Sequence, residues 1–289
     1  MGVVTLYGLP IVFAVLVWWL STGVVLLVVS RPRRSYAWSM IGATVLLLVG
    51  LYGLAWSSGE TTVTGAYVAF SSALLVWAWH ETSFLTGLVT GPRTIPAEAP
   101  LANGRAPLRS AIETLLYHEI AILLTGVVIV AITIGEANQV GLWTFVVLWV
   151  MRLSAKLNVY LGVPNLTEEF LPEHLAYLKG YFCRKPMNLL FPISVTASTA
   201  LTVLLVEAAL APGAAAFEVT GSMLLATFLA LAVIEHWFLV IPFRSAELWR
   251  WGLRAGQHTA EDQSAQADAR TPDRRNADRV RTCPVTVTT

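Results

Sequence analysis

Seven stretches of this chain stay apolar for about 20 residues or more, the length a helix needs to cross the hydrocarbon core of a bilayer. They lie near residues 5–29, 38–57, 64–89, 110–134, 140–163, 187–211 and 219–243. A chain so built has few choices. Backbone polar groups in lipid must be satisfied within the segment, so each run is expected to be a helix. The mean hydropathy of +0.65, with only 13% charged residues, fits an integral membrane protein rather than a soluble domain of 289 residues. A net charge of +1 without a basic surface run argues against a nucleic-acid partner.

Basic residues alternate from loop to loop. Arg31, Arg33 and Arg34 follow the first run, Arg93, Arg105 and Arg109 the third, and Lys179, Arg184 and Lys185 the fifth; the connections near 58–61, 135–139 and 211–218 have none. The positive-inside rule then places the N-terminus outside, in the periplasm, and the C-terminus in the cytoplasm, which requires an odd number of spans. The first run lacks a positive n-region and a small-residue cleavage site and is read as a retained helix. The expectation is an all-α polytopic membrane protein with about seven transmembrane helices in a domain spanning 1–255.

Two segments should not span. Residues 165–186 mix Phe170, Leu171, Leu175, Leu178 and Phe182 with charges and are read as an amphipathic helix on the cytoplasmic face. Residues 256–289 are rich in Asp, Arg, Gln and Thr with little to bury, and read as a disordered cytoplasmic tail. Trp249 and Trp251, just before it, look like an interfacial anchor, as do Trp18, Trp19 and Trp38 at other boundaries. Trp77, Trp79, Trp143, Trp149 and Trp237 lie deeper, as helix packing or as walls for a flat macrocycle. Cys183 and Cys283 fit neither a disulfide framework nor a thiolate metal site.

Ionisable residues inside the apolar runs are the functional signal, because each costs several kcal/mol unless paired or used. Of the five histidines, four adjoin a glutamate: His80-Glu81, His118-Glu119, Glu173-His174 and Glu235-His236. Counting about 1.5 Å per residue from the cytoplasmic ends puts His80, His118, Arg152 and Glu235 roughly 13 to 18 Å deep, in one layer. Arg152 and Lys156 share a helix face and could neutralise Glu81, Glu119 or Glu235. Glu113 stands near the mouth of its helix, and Glu168, Glu169, Glu173 and His174 could gate the layer from the cytoplasmic side.

Three uses of that layer stay open. It is a charge-balanced structural network. Alternatively His80, His118 and His236 ligate bacteriochlorophyll or a tetrapyrrole precursor. In the third, His80, Glu81, His118, Glu119, Glu235 and His236 hold a metal such as iron in a membrane enzyme acting on a tetrapyrrole, quinone or carotenoid. The chain has no HExxH, paired Glu-x-x-His or multi-histidine box, and no internal repeat of the transporter kind.

The blocks WSMIGATVLLL (38–48), TTVTGAYVAFSSALLVWAWHETSFLTGLVTGPR (61–93), NQVGLWTFVVLWVMRLSAKLNVYLGVPNLTEEFLPEHLAYLKGYF (138–182) and KPMNLLFPISV (185–195) resemble the PuhE family of photosynthetic complex assembly proteins. The likeness runs from the first apolar run to the last and leaves out the tail. It implies an accessory role: such proteins are encoded beside the reaction-centre H subunit and affect reaction-centre and core-antenna assembly and bacteriochlorophyll supply. The partners implied are the lipid membrane, inner or intracytoplasmic, and subunits of the reaction centre or core antenna. The resemblance assigns no catalytic or ligand residue.

Overall fold

Apolar helices dominate the computed structural model, which describes residues 2–97, 106–166, 168, 171–242 and 245–251. The helices are α1 (Leu9–Val29), α2 (Tyr36–Ser57), α3 (Val63–Leu85), α4 (Leu108–Glu113), α5 (Leu116–Thr133), α6 (Val140–Leu161), α7 (Leu190–Ala209) and α8 (Ala216–Phe238). A π turn, Val4–Gly8, leads into α1. Among the described residues there is no strand, only an isolated bridge between Val163 and Arg184.

Among the described residues, six segments are long and apolar enough to cross a membrane: Val4–Val29, Arg33–Ser57, Leu116–Thr133, Val140–Leu161, Leu190–Ala209 and Ala216–Phe238. The count expected from sequence was seven. The difference is α3, which has the length, 23 residues, but carries Ser71, Ser72, His80, Glu81, Thr82 and Ser83. Its position explains the composition. α3 packs against α1, α2, α5, α6 and α8 and has thirteen buried residues, whereas peripheral α7 has three. Surrounded by other helices, it meets little lipid.

Close packing at the centre uses small residues, as expected where lipid tails remove most of the hydrophobic drive between helices. Gly50 and Gly53 of α2 lie against Ser72 of α3, so close that a Cβ at Gly50 would stand 2.8 Å from the Ser72 carbonyl oxygen. Ala66, Ala69 and Phe70 of α3 then meet Ala14 of α1 and Leu224 and Phe228 of α8. A second cluster joins Trp77 and Val76 to Leu54, Ile122, Ile129 and Phe145.

Local signals set the helix ends. Thr62 caps α3 by accepting from Gly65 N at 3.0 Å, Asn188 caps α7 by accepting from Leu190 N and Phe191 N, and Glu218 in the first turn of α8 accepts from Ala215 N. Asn138 ties two connections together: its side-chain amide donates to the carbonyls of Ser57, Glu60 and Gly65, and its oxygen accepts from Val140 N.

Two sequence expectations need correction. The run at 110–134 is two helices, because His118 N donates to the Thr90 carbonyl at 2.9 Å instead of continuing the ladder to Thr114. Among the described residues of 165–186 there is no α-helix: Pro164 and Pro172 interrupt the backbone, and Glu173–Tyr181 is a 3-10 segment. Its two feet meet beside the end of α6, where Val163 N donates to Cys183 O and Lys185 N to Val163 O. Leu175, Leu178 and Tyr181 are buried under the bundle with Phe84.

The contacts collect the basic connections at one end. His174 Nε2 donates to Leu85 O, Arg93 Nε to Tyr181 Oη and Asn165 Nδ2 to Phe238 O. Arg33, Arg93, Lys179 and Arg184 thus lie in connections at the same end, while Glu60, Glu136 and Glu218 lie in the opposite turns. The proposed tail, 256–289, lies outside the described residues.

Candidate functional site

The polar layer exists, and it is built from pairs. On α3 and α6, Arg152 grips Glu81 in a two-point contact, Nε to Oε1 at 2.9 Å and NH2 to Oε2 at 2.8 Å. On α5 and α6, Lys156 Nζ meets Glu119 Oε1 at 2.8 Å. Charge-assisted contacts of this geometry are the strong ones, and they offset the cost of taking both partners from water. Arg152 and Lys156 thus pair with Glu81 and Glu119.

Each carboxylate also accepts an indole N–H. Trp77 Nε1 donates to Glu81 at 3.2 Å, Trp149 Nε1 to Glu119 at 3.2 Å and Trp18 Nε1 to Glu235 at 2.7 Å. These tryptophans were missed as members of the layer. For Trp77 the signal was present, since it sits four residues before Glu81 and shares its helix face.

A cavity of about 440 Å³ opens beside these pairs, among α1, α3, α6 and α8. Glu81, Arg152, Lys156 and Glu235 mark its polar places; Leu74, Val147, Leu148, Phe228 and Ala232 are among its apolar walls. Leu166, Leu171, Leu178, Tyr181 and Phe182 border it from the 165–186 segment. That segment lines the lower side of the cavity with apolar side chains.

Trp249 is a wall of the same cavity and not a surface anchor. Only 4% exposed, it stacks edge-on against Trp18 with ring centres 5.2 Å apart. A reciprocal pair of hydrogen bonds straps its segment to α1: Trp19 Nε1 donates to Leu248 O, and Trp249 Nε1 to Trp19 O. Trp251 covers Gly23, where any Cβ would collide with its ring.

The three histidines stand outside this lining. His80, His118 and His236 are 0%, 1% and 2% exposed. His80 Nε2 pairs with Thr125 Oγ1 at 3.1 Å, and its ring lies 6.3 Å from that of His118, which stacks on Phe84 at 4.7 Å. Nδ1 of both rings is buried without a hydrogen-bond partner. His236 Nδ1 must donate to Ala232 O at 2.9 Å, which leaves Nε2 to accept from Ser154 Oγ at 2.9 Å. None of the three borders the cavity. Among the described residues no three His, Cys, Asp or Glu side chains converge as a metal set, and the glutamates of the layer hold cations or indoles instead.

The residues suggested as a gate disperse. Glu169 lies outside the described residues. Glu173 is exposed, Glu168 pairs with Arg184 at 3.3 Å, and Glu113 pairs with Arg109 at 3.0 Å. His174 docks on the end of α3 and borders a separate cavity of about 180 Å³ with Arg33, Thr90 and Tyr177. Burial, reinforced by Arg33, holds the His174 pKa below the ordinary 6.5, and the bond to Leu85 opposes them.

A protein of Rhodobacter capsulatus, a phototroph, described as "Uncharacterized 30.4 kDa protein in puhA 5'region", is 39% identical over 264 residues, covering 89% of this chain and 95% of the relative. No solved structure matches. The matches support an uncharacterised family linked to photosynthesis genes and do not carry the PuhE name. With the family model aligned over residues 4–260, the chain belongs to the family described as "Protein of unknown function (DUF3623)".

Proposed function

We propose that this protein is an accessory factor for assembly of the bacterial photosynthetic apparatus, and that its cavity holds a lipophilic client without a histidine ligand. The observation that carries the reading is the cavity itself, a partly open, mainly apolar chamber with fixed polar groups among α1, α3, α6 and α8. The relative in the puhA region of a photosynthesis gene cluster supplies the biological context. The client reaches reaction-centre or core-antenna subunits, as the PuhE-like blocks imply. In this reading the basic end of the bundle faces the cytoplasm of the inner or intracytoplasmic membrane.

Deleting the gene in a phototrophic host and recording the near-infrared absorption of its membranes tests the role. The expected result is loss of reaction-centre and core-antenna bands, restored by the native chain and not by Ala78→Phe, which puts a ring into the cavity from its α3 wall. Unchanged bands in the deletion strain would overturn the assembly role. Full rescue by a stably folded Ala78→Phe protein would overturn the cavity's part in it.

A further inference from the structure

The polar end of the cavity is not charge-balanced. Arg152 is committed to Glu81 through two hydrogen bonds, and Lys156 to Glu119. Glu235 lines the same cavity and accepts one hydrogen bond, from Trp18; among the described residues no cation pairs with it. A carboxylate at such a depth that accepts a single hydrogen bond has acceptor capacity left over, which an incoming donor can fill. The indole of Trp18 holds one oxygen and leaves the other for an incoming group.

We propose that Glu235 is the recognition group of the cavity, and that the ligand it selects is a membrane-soluble molecule presenting an N–H or O–H donor and no acid group. The donor is an amine, a hydroxyl or a pyrrole-type N–H. An acid brought to this end meets a third carboxylate with both cations already taken. This deepens the client-binding reading and rests on it. Trp18 and Trp249 form the wall beside Glu235 and make occupancy visible.

The test uses the full chain in nanodiscs of zwitterionic lipid, titrated with dodecylamine, dodecanol and dodecanoic acid, which share one tail and differ in head. Tryptophan fluorescence reads binding, with Trp18→Phe confirming its source. The amine is expected to bind best and the acid worst, separated by about tenfold or more, the weight of one hydrogen bond to a charged group. Glu235→Gln should weaken amine binding about tenfold and leave the alcohol within about threefold. Glu235→Asp, which keeps the charge, should preserve the order, and its thermal unfolding checks the fold. The proposal is overturned if the acid binds as well as the amine, if Glu235→Gln leaves the order unchanged, or if no probe perturbs the fluorescence. Lost near-infrared bands in a deletion strain together with acid preference would reject the donor rule and keep the assembly role.

Discussion

Replacing one partner of the Glu81–Arg152 pair strands the other at membrane depth. Breaking a buried pair from one side costs about 3–5 kcal/mol when the remaining charge has no outlet. Here the two sides differ: the Glu81 side chain is 13% exposed and that of Arg152 44%. Arg152→Gln, which strands the more enclosed charge, should therefore cost about 3 kcal/mol, and Glu81→Gln, discounted for the openness of Arg152, about 2 kcal/mol. Gln at position 81 can still accept from Trp77, so the smaller loss is not a loss of that contact. The double variant has no charge to strand and should cost about 2 kcal/mol, a coupling of about 3 kcal/mol. Thermal unfolding in nanodiscs resolves this, since 1 kcal/mol moves Tm by about 2–4 °C in a protein of this size. A double variant that loses the sum of the two single effects would falsify the pairing argument. So would Glu81→Gln proving more damaging than Arg152→Gln.

Asn138→Asp turns a donor to three carbonyls into an acceptor facing them, and should lower Tm more than Asn138→Ala, which costs about 2–4 kcal/mol in lost hydrogen bonds; equal losses would count against the tie described between the turns. Gly23→Leu displaces the Trp251 ring, and limited proteolysis should then cut near 245–251 more quickly than in the native protein; an unchanged cleavage rate rejects the seat. His174 has a native pKa below 6.5, so between that value and 6.5 the unfolded chain binds more protons than the native one. Stability from this group is complete above about pH 6.5 and falls on acidification below it. His174→Gln should flatten the Tm profile between about pH 7 and pH 5, and an unaltered slope would exclude the histidine as its source.

Much of the fold was legible because lipid imposes its own periodicity. Apart from 110–134, which divides into α4 and α5, each apolar run holds one helix, and loop charge sorts the connections into two groups whose contacts place them at opposite ends. The counter-charges Arg152 and Lys156 were readable from their i, i+4 spacing, and their partners fell within the set that depth allowed. Depth, however, is one coordinate. It put His80, His118 and His236 in the same layer as Glu81 and Glu235 but could not say which side of each helix turns toward the cavity. That rotation is set by helix–helix packing, with Thr125 claiming His80 and Ser154 claiming His236. The 165–186 segment failed for a different reason. Its alternation of apolar and charged residues suits a surface helix, but Pro164, Pro172 and the Asn165 side chain, spent on Phe238 and Ile241 carbonyls, turn it under the bundle. Trp249 was misplaced because a tryptophan near a membrane boundary has the same sequence signature whether it faces lipid headgroups or a neighbouring helix.

The inward position of α3 also sets a timetable for synthesis. Glu81 precedes Arg152 by 71 residues, so at about 5–20 residues per second it leaves the ribosome roughly 4 to 14 seconds before its counter-ion. During that interval α3 is a helix with a carboxyl group in its last turns and without the shielding it has in the finished bundle, a charge that is costly in the bilayer until it is paired. The short Ser58–Thr62 connection lets α2 accompany it as a hairpin, apolar helix with polar helix. The Glu81 charge is matched only when α6 arrives. Chains that stop before α6 carry an unmatched acid into the bilayer, the type of defect by which a membrane quality-control protease distinguishes an unfinished protein from a mature one.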